Sequence, residues 1–156
     1  MDAVSLNPAS FVELGLRLTI ALLAGALVGY ERQAHKHAAG LRTHILVSLG
    51  SALFVLIPIQ IGIAAADPGE LSRVVQGIVT GVGFIGAGVI FHRQHRNGVA
   101  EARGLTTAAG IWVVASLGVA SGCGLWPLVL LGTIFTWVTL STLRMVERWL
   151  SSLRQD

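Results

Sequence analysis

From Phe11 to Tyr30 the chain is apolar at all but a few positions, and the pattern returns over residues 43–63, 73–91, 105–122 and 125–146. Each run is close to the ~20 residues that an α-helix needs to cross about 30 Å of hydrocarbon. Together they take up most of the chain. The pattern predicts an all-α membrane protein of five transmembrane helices. They form a single transmembrane domain over 1–146, with short connections and a short tail over 147–156.

Composition agrees. The 156 residues are 53% hydrophobic and 12% charged, with a mean hydropathy of +0.72. That is about half the charged share of a typical soluble domain. A soluble protein this short could not hide so much apolar surface. The single Cys123 excludes an intrachain disulfide.

Charge then sets an expected orientation. Arg32, Lys36 and Arg42 follow span 1, Arg93, Arg96 and Arg103 follow span 3, and Arg144, Arg148 and Arg154 follow span 5. Nine of the eleven basic residues therefore fall on one side of the membrane, with Arg17 and Arg73 outside these groups. Positive connections stay in the cytoplasm, which predicts N-out/C-in. The net charge of +3 thus reflects topology. No aromatic platform is interleaved with these cations, and no nucleic-acid partner is expected. A cleaved signal peptide is also not expected, because the flank before span 1 carries Asp2 and no cation ahead of Arg17.

Span 3 contains Gly81-Val82-Gly83-Phe84-Ile85-Gly86, which matches the dinucleotide fingerprint GxGxxG. The fingerprint has meaning only after a strand and at the opening of a helix. Here apolar residues run through both sides, and Gln76 and Thr80 are the only polar side chains over 74–91. Helix packing explains the glycines better. At ~100° per residue, Gly77, Gly81 and Gly88 share one face, and Gln76, Thr80, Gly83 and Ala87 line a neighbouring one. Small residues let helices approach closely. Span 1 offers Ala21, Gly25 and Gly29 at the same spacing, and Gly86 is a further candidate packing position in span 3. The expectation is that span 3 is the central helix, clasped on both sides. Gln76 and Thr80 either bond a neighbouring helix or face a polar cavity.

A repeat accompanies the glycines. Gly25-Ala26-Leu27-Val28-Gly29-Tyr30-Glu31-Arg32-Gln33 and Gly86-Ala87-Gly88-Val89-Ile90-Phe91-His92-Arg93-Gln94 agree at five of nine positions. Gly40-Leu41-Arg42-Thr43 and Gly104-Leu105-Thr106-Thr107 then open the next spans. Spans 1–2 and 3–4 read as a parallel helical-hairpin repeat about an axis along the membrane normal. A coincidence between two Gly/Ala-rich segments is the alternative.

The cytoplasmic rim carries the candidate chemistry. Spans 2 and 4 begin there with unpaired N–H groups, next to Arg42, Thr43 and His44 in one case and Arg103, Thr106 and Thr107 in the other. Thr43 and Thr106 suit capping. Two helix starts with arginines could also hold an anion such as a lipid phosphate. Glu31 and Glu101 can pair with Arg42, Arg93 or Arg103. His35-Lys36-His37 and His92-Arg93-Gln94-His95 resemble metal spacings, but their cationic neighbours disfavour a metal, and no metal ligand set is assigned. Arg17 sits inside span 1 with Glu13 one turn earlier to neutralise it. Pro58 should bend span 2 near its outer end, and Trp126 and Trp149 suit interface anchoring.

Taken together, several motifs closely resemble the MgtC/SapB family. They are Gly40-Leu41-Arg42-Thr43-His44 with Leu49-Gly50-Ser51-Ala52-Leu53-Phe54, then Gly83-Phe84-Ile85-Gly86-Ala87-Gly88-Val89-Ile90, then Gly104-Leu105-Thr106-Thr107-Ala108-Ala109 with Trp112. The resemblance runs from about residue 10 to 146. It implies a multi-pass protein of the bacterial inner membrane linked to magnesium homeostasis and low-magnesium adaptation. Two modes of action follow from it: direct Mg²⁺ transport, or regulation of another membrane complex such as the F-type ATP synthase. By motif match, Glu31, Arg42, Thr43, His44, Gln76, Thr106 and Thr107 are the implied functional positions. A soluble C-terminal domain occurs in the family, and this chain is expected to be a short form without it.

Mg²⁺ prefers oxygen ligands and loses water reluctantly. No span has a carboxylate near its middle, so transport would need hydrated passage along Gln76 and Thr80. No nucleophile–base pair supports an enzyme. No cofactor is expected, and Mg²⁺ would enter only as a substrate or signal. Expected partners are membrane lipids, a second copy of the chain in a homo-oligomer such as a dimer, and another membrane protein.

Overall fold

The computed structural model describes residues 8–94 and 100–153, with side chains described over 8–67, 69–90 and 103–142. Helix α1 (Phe11–Ala34) begins where the Ser10 hydroxyl accepts the Glu13 N–H at 3.2 Å. Helix α2 (Leu41–Gln60) ends two residues after Pro58, and a single turn, α3 (Ile63–Ala66), follows. Helix α4 (Pro68–Val89) is capped by Asp67, which accepts from the Gly69 N–H at 2.8 Å, with Pro68 in the first turn. This start lies ahead of the apolar run at 73–91, because the Asp67-Pro68 signal precedes the hydrophobic stretch. Helices α5 (Leu105–Gly122) and α6 (Trp126–Leu153) complete the set.

Strands β1 (Phe91–Gln94) and β2 (Ala100–Arg103) lie between α4 and α5, antiparallel, with Phe91 opposite Arg103. The sequence pattern predicts only a basic connection there. Among the described residues, α1, α2, α4 and α5 are long and apolar enough to cross a membrane, and α6 has a shorter apolar portion over Trp126–Thr142.

The core is a three-helix unit of α1, α2 and α5. Helix α1 runs antiparallel to α2, with Ala21 beside Ser48 and Gly29 beside Leu41. It also runs antiparallel to α5, with Arg17 at Gly122 and Arg32 at Thr107. Helices α2 and α5 run parallel, Ser48 meeting Gly118 and Ala52 meeting Gly122. Apolar packing extends this unit on two sides. Val28, Val114 and Leu117 gather with Val129 of α6, and Val55, Ile59 and Ile111 gather with Ile78 and Val82 of α4.

Helix α5, not span 3, is therefore central. Of its positions 56% are buried, against 11% for the apolar stretch of α4. The reason lies in backbone approach. A Cβ on Gly118 would overlap the Ser48 carbonyl, and one on Gly122 would stand 2.9 Å from the Ala52 carbonyl. At Gly77, Gly81, Gly83 and Gly88 of α4, a Cβ would meet nothing within 4 Å.

The hairpin repeat has a counterpart in the contacts. Gly25 packs on the His44 backbone, where a Cβ would stand 2.8 Å from the His44 carbonyl. Its repeat partner Gly86 faces Ala108, the position matching His44, at 3.6 Å. Gly40 and Gly104 occupy the same place as the residues preceding α2 and α5.

Candidate functional site

One face of α1 reads Arg17, Ala21, Ala24, Gly25, Val28, Gly29 and Arg32, all buried. The 3–4 spacing makes this a continuous stripe against α2 and α5. An arginine closes each end, ~22 Å apart for fifteen residues of helix.

At the Arg32 end, three helices contribute polar groups. Arg32 is 1% exposed and donates from Nη2 to Thr107 Oγ1 at 3.0 Å. Its Nη1 lies 3.8 Å from Glu31 Oε2. His35 donates from Nδ1 to the Glu31 carbonyl at 2.9 Å, and the same nitrogen is 3.3 Å from Glu31 Oε1. His44, fully buried on α2, donates from Nδ1 to the Gly40 carbonyl at 2.9 Å. That bond leaves Nε2 as an acceptor without a hydrogen bond among the described residues, facing Gly110 of α5. Charges held this deep require a fixed set of partners. Arg32 and His35 both lie against the Glu31 carboxylate; no group of three or more metal-ligating side chains occurs among the described residues.

Glu31 and Thr107 are thus brought together by Arg32, which the sequence pattern marks only as a basic-loop residue, and His44 faces Gly110, one turn along α5 from Thr107. The place of Arg32 on the buried stripe, seven residues after Gly25, is the signal that would have found it. Arg42 and Thr43 point elsewhere. They stand at one end of a groove of about 780 Å³ between α2 and α4. Thr106 and Arg103 are exposed.

The capping roles of Thr43 and Thr106 are not realised: the caps are Gly40 and Gly104, without side-chain bonds. Gln33 of α1 supplies the missing acceptor for α2, taking the Leu41 N–H at 3.3 Å, and a Cβ on Gly40 would overlap that amide oxygen. Gly104 has φ +93°, a left-handed conformation that disfavours a Cβ, and its Cβ would overlap the Val89 carbonyl.

Gln76 and Thr80 are not among the residues that line the α2–α4 groove. Both are exposed on α4, and the Thr80 hydroxyl bonds back to the Gln76 carbonyl at 2.9 Å. The groove is lined instead by the neighbouring face, including Gly77 and Gly81. Of the packing glycines, Gly25, Gly29 and Gly86 would bring an added Cβ against a neighbouring helix, while at Gly77, Gly81, Gly83 and Gly88 it would meet no atom within 4 Å. His35 and His37 lie with ring centroids 6.5 Å apart. The side chains of His92, Glu101 and Trp149, and all of His95, lie outside the described residues.

The opposite end is a second polar lock. Arg17 donates from Nη1 to the Gly122 carbonyl at 2.7 Å and pairs with Glu13, and Ser121 donates to the Arg17 carbonyl at 2.7 Å. Burial pushes the nearby Cys123 thiol up, with Arg17 opposing the shift.

The family model of MgtC matches residues 18–149. This chain belongs to the MgtC family. The MgtC-family chain is 46% identical to Protein SrpB of Synechococcus elongatus, covering 100% of this chain and 88% of that one. It is 40% identical to the Putative magnesium transporter YhiD of Escherichia coli, over 80% of this chain and 58% of YhiD. It is 43% identical to Protein MgtC of Salmonella typhimurium, over 76% of this chain and 47% of that protein. It thus spans most of SrpB and about half of the other two. No solved structure matches it. With its apolar helices, this MgtC-family chain is a membrane protein.

Proposed function

We propose that this protein serves magnesium homeostasis in the bacterial inner membrane as a non-conducting regulator that binds another membrane complex. The link to magnesium rests on the family and on the similarity to the Putative magnesium transporter YhiD. The mode of action rests on α4. Its outward face carries Gln76, Thr80 and Gly83, all exposed, on a helix apolar enough to span a membrane. A carboxamide facing lipid costs a few kcal/mol unless a neighbour satisfies it. A partner helix laid along Gly83 would do so at close range. That partner is another membrane protein or a second copy of this chain.

The transport reading is less well supported. The α1–α2–α5 core is closed by backbone contact at Gly25, Gly118 and Gly122. The α2–α4 groove has Arg42 at one end, which repels a dication.

Purified protein in vesicles loaded with a magnesium-sensitive dye tests the choice. The expected result is no flux above empty vesicles. In cells, Gln76→Leu should then abolish support of low-magnesium growth at unchanged abundance. Magnesium flux that disappears with Gln76→Leu would establish transport instead.

A further inference from the structure

We infer that the groove between α2 and α4 holds one acyl chain of an anionic phospholipid, with its phosphate at Arg42. The groove is about 780 Å³ and runs from Arg42 and Thr43 past Gly50 to Phe54 on α2. Twelve residues of helix separate Arg42 from Phe54, ~18 Å along the axis. One leaflet contributes half of the ~30 Å hydrocarbon core, about 15 Å, so the length suits a single chain from the leaflet on the Arg42 side.

The lining fits this occupant in two ways. It is apolar apart from Arg42, Thr43 and Ser51, and the only formal charge is the exposed cation at one end. An acyl chain with an anionic head has the same layout. The depth comes from glycine: a Cβ at Gly50, Gly77 or Gly81 would meet no atom within 4 Å, so each leaves open space that a larger side chain would fill. Helices α2 and α4 each pack on α5, which holds the groove open from behind. The partner-binding face proposed above is the neighbouring one, with Gln76, Thr80 and Gly83, so the two surfaces are separate.

Native mass spectrometry of the protein released from bilayers of phosphatidylcholine with a minor share of phosphatidylglycerol tests the assignment. Wild type should retain one phosphatidylglycerol in preference to phosphatidylcholine. Arg42→Gln should lower that preference about fivefold, the effect of one cation near an anionic lipid surface. Gly81→Leu should lower retention of both lipids while leaving the melting temperature unchanged, because the added side chain enters empty space. A phosphatidylglycerol with a photoreactive acyl chain, used on the wild type alone, should crosslink within the peptides carrying Phe54 and Ile78. Equal lipid retention by wild type and Gly81→Leu, or crosslinks spread evenly over all lipid-facing helices, would overturn the site. A change of oligomeric mass in Gly81→Leu without a change in lipid retention would show a protein contact there instead.

Discussion

Arg32 on α1 and Thr107 on α5 are joined by a 3.0 Å hydrogen bond with both side chains out of solvent. It ties the C-terminal end of one core helix to the first turn of another. Thr107→Val keeps the shape and removes the acceptor. We expect a loss of about 1–3 kcal/mol, the cost of leaving a buried donor unmatched. Thr107→Ser should recover most of it. Unfolding in mixed micelles by added denaturant reads the difference; equal midpoints for Val and Ser would show that the bond contributes nothing.

Glycines on α5 and α4 should respond in opposite ways. Gly118→Ala pushes a methyl group into the Ser48 backbone, which must separate α2 from α5. Overpacking of this kind costs about 1–3 kcal/mol. A Cβ at Gly83 would meet no atom within 4 Å, so Gly83→Leu should leave monomer stability intact. Thermal melts of the two variants in detergent check the contrast, and a large loss in Gly83→Leu would return α4 to the centre of the fold.

Arg17 and its carboxylate partner should also separate. Glu13 is 41% exposed, so Glu13→Gln should cost less than about 1 kcal/mol. Arg17→Met removes the donor to the Gly122 carbonyl and should cost more, about 1–3 kcal/mol. Denaturant midpoints of the two variants decide, and equal losses would mean that the ion pair carries the effect.

Cys123 sits in the turn between α5 and α6, 7% exposed, with its thiol pushed up by burial. The thiolate is the reactive form. Maleimide labelling of the native protein should be slow and should become fast in denaturant. Arg17→Met removes the opposing cation and should slow labelling further, whereas accelerated labelling would report loss of packing in the turn.

Much of the fold was legible in hydropathy because length and apolarity act locally. A helix in lipid must satisfy its own backbone hydrogen bonds, so five apolar runs could be placed without knowing any neighbour. The repeat was also legible, since Gly25 and Gly86 sit in matched segments, and the structure pairs them with matched positions, His44 and Ala108.

The rim was only partly legible. Glu31, His44 and Thr107 could be singled out, but Arg32 could not be told from the basic loop beside it. Its burial depends on α5 arriving with Thr107 at the same height, a contact 75 residues distant along the chain.

By itself, the sequence determined that this chain is a family of apolar helices with small-residue faces and cations grouped at the connections. Which faces meet was decided only by tertiary structure. Glycine permits close approach wherever it occurs, and periodicity cannot say whether a neighbour accepts. Ser48 and Ala52 on α2 accept Gly118 and Gly122 of α5, whereas Gly77 and Gly81 of α4 open onto a groove. The physical reason is that a helix face is a local property, while the helix opposite is set by the packing of the whole chain.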